Sequence, residues 1–549
     1  MKRRKFIYVA VTGAAGAVLG VPVWQALSRR GRDLPKLNLD RHFPILPVES
    51  HIPLQGFTGD EPVRPHSVLW QKGEYLASKG GVPAPSEQAR VVVVGGGMAG
   101  LMSSYFLRDL GPVLLEQASR LGGNSKGERW EDLAYSIGAA YVSEPDKGSQ
   151  SWALLEELGM FPQGRGEKAS DEACILMRGK IHEGFWSGAT DPARAAEFKR
   201  VAAVFKKHLE ESYPDLPLEA KFHALDRMSF RDWVRREIGK THPHIEEFLR
   251  EYCWSSFAAD DSELSAAQTL NFLLADMEGI VAFPGGNSAI AERLCDRLVR
   301  QLPQGSLRPS SLVVDVAADD RGVTVAYIDS QERLRSIRAE ACVVAAPKFV
   351  AKHVVRDLPE PQLAAMRALK YRAYLVANVL VRKRVTSKSY ELFRLRGVGR
   401  GAEDVRKAAE PVVFTDLIFG AWAANDRPDR SVLTLYRGVP YDSGRGELYQ
   451  PEAFGRERKA FEDELPEMLA ALGLTTGDVA QVRITRWGHA LPVAARGLLA
   501  DGVAARASAP LKDRVFFAEQ DNQANPAFES ALSAAWSVVE PIRKGVARA

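Results

Sequence analysis

Cysteine is scarce. Four occur in 549 residues, Cys174, Cys253, Cys295 and Cys342, far apart and without a C-x-x-C pair. They read as buried thiols, and sequence alone pairs none of them in an exported protein. No Ser-centred G-x-S-x-G, no H-E-x-x-H and no phosphate-binding lysine loop occurs, which argues against serine hydrolase, zincin and P-loop chemistry. His42, His51 and His66 lack metal-ligand spacing and read as solvated or locally hydrogen-bonded, so no metal site is expected. A strong charge of one sign is also missing. The formal net charge is +4, but six basic residues and no acid fall in residues 1–30. The remainder is close to neutral, which gives no footprint for nucleic acid.

What is present begins at Arg90. Four valines, Val91 to Val94, form an apolar β-branched run that predicts a buried parallel strand. Gly95, Gly97 and Gly100 follow at G-x-G-x-x-G spacing, and residues 101–107 are apolar at helical spacing. Gly111-Pro112 breaks the helix, and Val113-Leu114-Leu115 predicts a second strand ending in Glu116. The first glycine permits the tight turn. The second lets a pyrophosphate approach the backbone, and the third lets helix and strand pack closely. The helix N-terminus offers free N–H groups and a positive dipole end. Glu116 lies where an acid accepts ribose hydroxyls. A dinucleotide-binding unit follows, with Met98, Ala99 and Gln117 flanking its contacts.

A second glycine pair stands just beyond, in Arg120-Leu121-Gly122-Gly123-Asn124. With it the stretch resembles the flavin amine oxidase superfamily, which includes polyamine dehydrogenases and phytoene-desaturase-like enzymes. The match covers Gly95, Gly97, Gly100, Leu101, Glu116, Arg120, Gly122 and Gly123; Asn124 stands where the family usually has arginine. The resemblance implies FAD. No cysteine follows Cys342, so the cysteinyl link of some members is excluded and noncovalent FAD is expected. It further implies that Gly138, Ala139 and Ala140 lie against the flavin ring and that Val313 meets the adenine through its backbone. Gln520 and Asp521 would face the sugar chain. Phe528 and Ala531 belong to the start of a last helix, whose N-terminal dipole would stabilise charge on the reduced ring. Trp487, His489 and Phe528 are the candidates for the catalytic face.

The resemblance implies an α/β fold, a Rossmann-like FAD-binding domain interleaved with a mixed-sheet and helical substrate domain. Residues 87–150, 281–350 and 480–549 are assigned to the first, and 151–280 and 351–479 to the second. Residues 31–86 are proline-rich and read as an extended arm. Residues 1–30 begin Met-Lys-Arg-Arg-Lys-Phe-Ile and resemble a twin-arginine export signal. That implies the twin-arginine translocation machinery as a partner and a periplasmic or exported protein, anchored in the membrane if the segment is not cleaved.

Residues 150–280 predict helices over the cofactor. Their aromatics Tyr252, Trp254 and Phe257 read as core or as pocket lining. In residues 350–480 the strands alternate, as if one face were covered. Such an enzyme moves a hydride from substrate to flavin with little acid–base machinery. A cationic amine would want an acid nearby, and Asp416 and Glu529 are the candidates. The family's lysine near the flavin would fall at Ala377 or Asn378 and its aromatic pair near Leu498 and Phe528, so a dehydrogenase is as open as an oxidase. The electron acceptor is oxygen or a quinone or cytochrome. Three functions remain: oxidation of a small-molecule, polyamine-like amine; desaturation or isomerisation of an apolar substrate; or a non-catalytic exported flavoprotein.

Overall fold

The computed structural model describes residues 45–47, 56–161, 164–167, 173–397, 413–423 and 429–546. The export-signal stretch, residues 1–30, lies outside them.

The valine run forms the strand Glu87–Val94, whose last four residues are all buried. It lies parallel between Val113–Leu115 and Leu334–Val344 in a seven-stranded sheet. Leu334–Val344 continues into an antiparallel pair, Gly322–Ile328 and Leu312–Asp319, and its C-terminal half also pairs with Val515–Phe517. A β-branched run buried on both faces needs cover on both. One cover is the helix Met98–Phe106, itself wholly buried. It packs with the helices Ser288–Gln301 and Phe528–Ser537 in one cluster that includes Leu101, Phe106, Leu294, Leu298, Phe528 and Leu532.

The second sheet has eight strands, mostly antiparallel. Its order is Lys180–His182, Cys174–Met177, Glu391–Leu395, Asp416–Phe419, Ser431–Val439, Tyr371–Val381, Val479–Pro492 and Thr58–Gly59. Every residue of Tyr371–Val381 is buried, so both faces are covered, not one. On the back, the amphipathic helix Ala453–Ala471 contributes Phe461, Leu465 and Met468 to the core that holds Leu375 and Val379. The front shares a cavity with the C-terminal ends of the dinucleotide-binding strands.

Residues 150–280 are mostly helical as periodicity predicts, including Ala195–Glu211, Pro243–Phe257 and Ala266–Glu278, apart from short strands between Arg165 and His182. Ser265 caps the last of these by accepting from Gln268 N at 3.2 Å. The extended-arm reading fails where the arm is described. Val63–Leu69 and Lys72–Ser78 are helices. Pro62 and Pro65 sit at the start of the first, where N–H groups have no intrahelical acceptor and proline loses nothing. This segment is stitched down. Arg64 donates to Ser310 O, Ile328 O and Asp329 O, and Glu61 accepts from Ser119 N and Oγ.

Candidate cofactor and substrate site

The glycines work by close approach. Gly95 turns out of the strand at φ +106°, and a Cβ there would lie 2.8 Å from Ala345 O. A Cβ on Gly100 would lie 1.9 Å from Gly95 O, so the helix can sit this close to the strand only with glycine. Gly97 bridges to Gly122, and Gly122 N donates to Gly96 O at 2.7 Å. The two glycine turns therefore cross in contact and present bare backbone to a cavity of about 1240 Å³. Glu116 Oε2 accepts from Gly96 N at 2.6 Å and Oε1 from Ala118 N at 2.7 Å, which fixes the carboxyl at the cavity wall. Burial pushes its pKa up, against the pull of Lys126 and of these two N–H groups.

Most of the sequence-predicted residues line this one cavity. Gly95, Gly97, Met98, Ala99, Glu116, Gln117, Gly122, Gly123, Asn124, Gly138, Ala139, Ala140, Val313, Gln520, Phe528 and Ala531 all do, as do Trp487 and His489. Three stand behind the wall. Gly100 is used for helix–strand packing. Arg120 is turned inward and donates to Gly127 O at 3.1 Å, holding the second glycine turn. Asp521 is fully buried and accepts from Lys348 N at 2.8 Å and Tyr371 OH at 2.5 Å; the neighbouring Glu519 reaches the cavity in its place.

The turn at 137–140 is held from the second sheet. Trp487 Nε1 donates to Ile137 O at 2.8 Å, and Tyr436 OH to Gly138 O at 2.6 Å. Asn124 Nδ2 donates to Ala490 O at 2.8 Å, and Asn124 O accepts from Ala139 N at 3.0 Å. The backbone at Gly138 is thus pinned, and a Cβ there would strike Asn124 O. His489 stacks on Phe349 with ring centroids 4.0 Å apart, with His66 at 6.5 Å. Burial, with Arg445, His66 and Lys352 nearby, pulls its pKa down to about 3, so at neutral pH it is an uncharged, packed ring. His66 is partly exposed. It lines the cavity and stacks on Trp70 at 4.6 Å.

Strand register builds the rest. Phe393 pairs with Asp416, Asp416 with Tyr436, and Tyr436 with Val376; one step along, Tyr374 pairs with Trp487. Period-two alternation puts all of them, and Glu391 two residues before Phe393, on the front face. All line the cavity. Asp416 is fully buried, and Thr415 Oγ1 donates to its Oδ1 at 2.5 Å. Burial raises its pKa, opposed by hydrogen bonding with Glu391, Ser255 and Thr415. Tyr252 also reaches the cavity, its OH donating to Asp276 Oδ2 at 2.7 Å, whereas Trp254 and Phe257 are buried outside the lining. Glu529 lines the cavity and accepts from Ser143 N at 3.1 Å.

Sequence reasoning found Asp416 but missed Glu391, Tyr374 and Tyr436. The expected aromatic position Leu498 is core and does not line the cavity. The aromatic walls come instead from the strand tyrosines. Asn378, expected near the family's lysine position, is spent on structure: it donates to Ser136 O and accepts from Thr434 Oγ1.

The residues fit a flavin dinucleotide. The glycine crossing leaves room that any Cβ would narrow, and Glu116 and Val313 flank it. The volume also exceeds the roughly 300–1,000 Å³ of an ordinary small-ligand pocket, leaving space for a substrate beside the cofactor.

Known proteins agree with this geometry. The family model "Flavin containing amine oxidoreductase" matches residues 98–539. The chain is 22% identical over 522 residues to the oxidoreductase PigB of a Serratia species, covering 83% of this chain and 75% of that protein. It is 26% identical over 296 residues to the 15-cis-phytoene desaturase of Solanum lycopersicum, covering 49% of this chain and 48% of that protein. A solved putrescine oxidase variant with redesigned cofactor binding superposes with a TM-score of 0.63 at 16% identity, over 84% of this chain and 100% of that one. The match to the family model spans most of the sequence, and the chain belongs to the flavin-containing amine oxidoreductases, as an FAD-dependent oxidoreductase.

Proposed function

We propose that this protein oxidises a cationic, polyamine-like amine. The observation that carries the reading is an acid pair, the fully buried Asp416 and the half-buried Glu391, set among tyrosines in the same cavity as the glycine crossing. Burial makes the Asp416 carboxyl hold its proton more tightly, and two neighbouring carboxylates in low dielectric repel, so the pair does not readily ionise together. An ammonium placed between them lets both ionise and is attracted in return. Tyr374 and Tyr436, with ring centroids 5.6 Å apart, add aromatic faces that favour a cation. An amine with a second, non-reacting ammonium fits this best: the acids hold the far nitrogen and orient the carbon to be oxidised.

FAD, when bound, supplies the hydride acceptor. The protein supplies position. Trp487 and Tyr436 fix the 137–138 turn, and the N-terminus of Phe528–Ser537 brings its positive dipole end to the cavity. Tyr374, Val376, Phe393 and Phe272 line the substrate side with aromatic and aliphatic surface. The apolar-substrate alternative, suggested by the phytoene desaturase likeness, calls for a carboxylate-free cavity; the acid pair argues against it. The non-catalytic alternative calls for a channel closed to substrate, and the volume argues against that.

The test is anaerobic. Purified flavoprotein is titrated with diamines, polyamines and simple amines while the visible flavin absorbance is followed. Bleaching by diamines, with Asp416→Asn keeping its flavin but requiring at least tenfold more diamine, is the expected result. A flavin untouched by every amine sinks the reading. We further propose noncovalent FAD and export by the twin-arginine machinery, with oxygen or a quinone or cytochrome as the final acceptor. Admitting oxygen to the bleached sample separates these acceptors.

A further inference from the structure

The arginine usual in the family at position 124 is replaced here, and Asn124 does not fill its role. Its amide is committed to Ala490 O at 2.8 Å. Two residues on, Lys126 is 4% exposed, yet it lines the cavity. Its ammonium has no hydrogen-bond or ion-pair partner among the described residues; the Trp487 ring, with its centroid 5.8 Å away, is the contact it makes. Burial pulls its pKa down, and the charges acting on it are, in order, those of Glu116, Arg120, Glu61 and Asp60. A buried cation without a partner is costly and is kept where a ligand brings the anion.

Two observations say which anion. The charges around Lys126 belong to the ribose-binding Glu116 and the 60–61 segment, and neither Asp416 nor Glu391 is among them. Lys126 also follows directly on the Gly122–Gly123 turn, which crosses Gly97 at the head of the helix Met98–Phe106. Lys126 therefore enters the cavity from the phosphate-binding turns, between Glu116 and the Trp487 ring. The fully charged group of a flavin dinucleotide is its pyrophosphate.

We propose that Lys126 is the pyrophosphate-binding cation of this protein, taking the place left by Asn124. The inference rests on the FAD reading of the site. It is tested on deflavinated protein by titrating FAD, and separately ADP, which carries the pyrophosphate without the flavin. Wild type is compared with Lys126→Gln and Lys126→Arg. Loss of one charge-assisted contact weakens both ligands by about ten- to hundred-fold in Lys126→Gln, while Lys126→Arg retains most of the affinity. Added salt weakens FAD binding more steeply in wild type than in Lys126→Gln, because a charge pair is screened. If Lys126→Gln fails to fold, Lys126→Met, which keeps the aliphatic stem, carries the same comparison. Unchanged FAD and ADP affinity overturns the proposal. So does a loss confined to FAD, which places the ammonium on the flavin half. A wild type that binds no FAD overturns the reading of the site itself.

Discussion

At the scale of single residues, the site combines groups that must stay uncharged with groups that must not. His489 belongs to the first kind. Its pKa is pulled from 6.5 to about 3 by burial and by the cations around it. The unfolded chain therefore binds a proton below about pH 6.5 that the folded chain refuses until about pH 3. Stability is fully present above the unfolded value and is lost as pH falls through that window. His489→Phe, which keeps the stack on Phe349, is expected to flatten this acid limb. Thermal midpoints of wild type and variant converge near neutrality and separate toward pH 4, with wild type falling faster. Parallel curves would assign the acid limb to other groups. Residues of the second kind, Asp416 and Glu391, were only half legible in the sequence. Asp416 stood out as an acid near an expected strand end. Glu391 did not, because its partner lies on a neighbouring strand and the register joining them is not written in either segment.

At the scale of elements, the strand–glycine–helix–strand–acid unit was legible because all of it is local. Each glycine has its own reason, and the reasons separate experimentally. Gly100→Ala drives a methyl into Gly95 O, 1.9 Å from the ideal Cβ position, and overpacking of this kind costs about 1–3 kcal/mol. Gly97 has an ordinary φ of −72°, and its nearest neighbour to an added Cβ is Gly123 Cα at 3.7 Å. Gly97→Ala is therefore expected to unfold in urea like deflavinated wild type but to purify with little flavin, because its methyl occupies the phosphate approach. Gly100→Ala should lose stability and flavin together. Equal unfolding midpoints for the two variants would contradict this division. The segment before the first strand was misread at this same scale. Its prolines suggest an open arm, but proline in a first helical turn is neutral. The contacts that fold it down, Asp60 to Gly488 N and Tyr449 OH, lie about 390–430 residues away in sequence.

At the scale of the whole molecule, the C-terminal ends of the first sheet's parallel strands meet the front of the second sheet at the cavity. A cofactor bound in that joint is expected to act as a stabilising ligand. At free FAD about 100 times its Kd the linkage is about 2.7 kcal/mol. Differential scanning of deflavinated protein should show a lower midpoint that climbs with added FAD, and acid precipitation should leave the flavin in the supernatant. A midpoint indifferent to FAD would place the cofactor outside the joint. The same architecture sets a timetable. The helix Met98–Phe106 is completed against Phe528–Ser537, with Phe106 and Trp536 meeting at 5.1 Å. On a ribosome making the chain from its N-terminus, the phosphate-binding half emerges hundreds of residues before the helix that finishes it. The nascent protein therefore has no complete place for its cofactor until synthesis is nearly over, and a product stopped short of residue 528 is left with an open seam instead of a smaller enzyme.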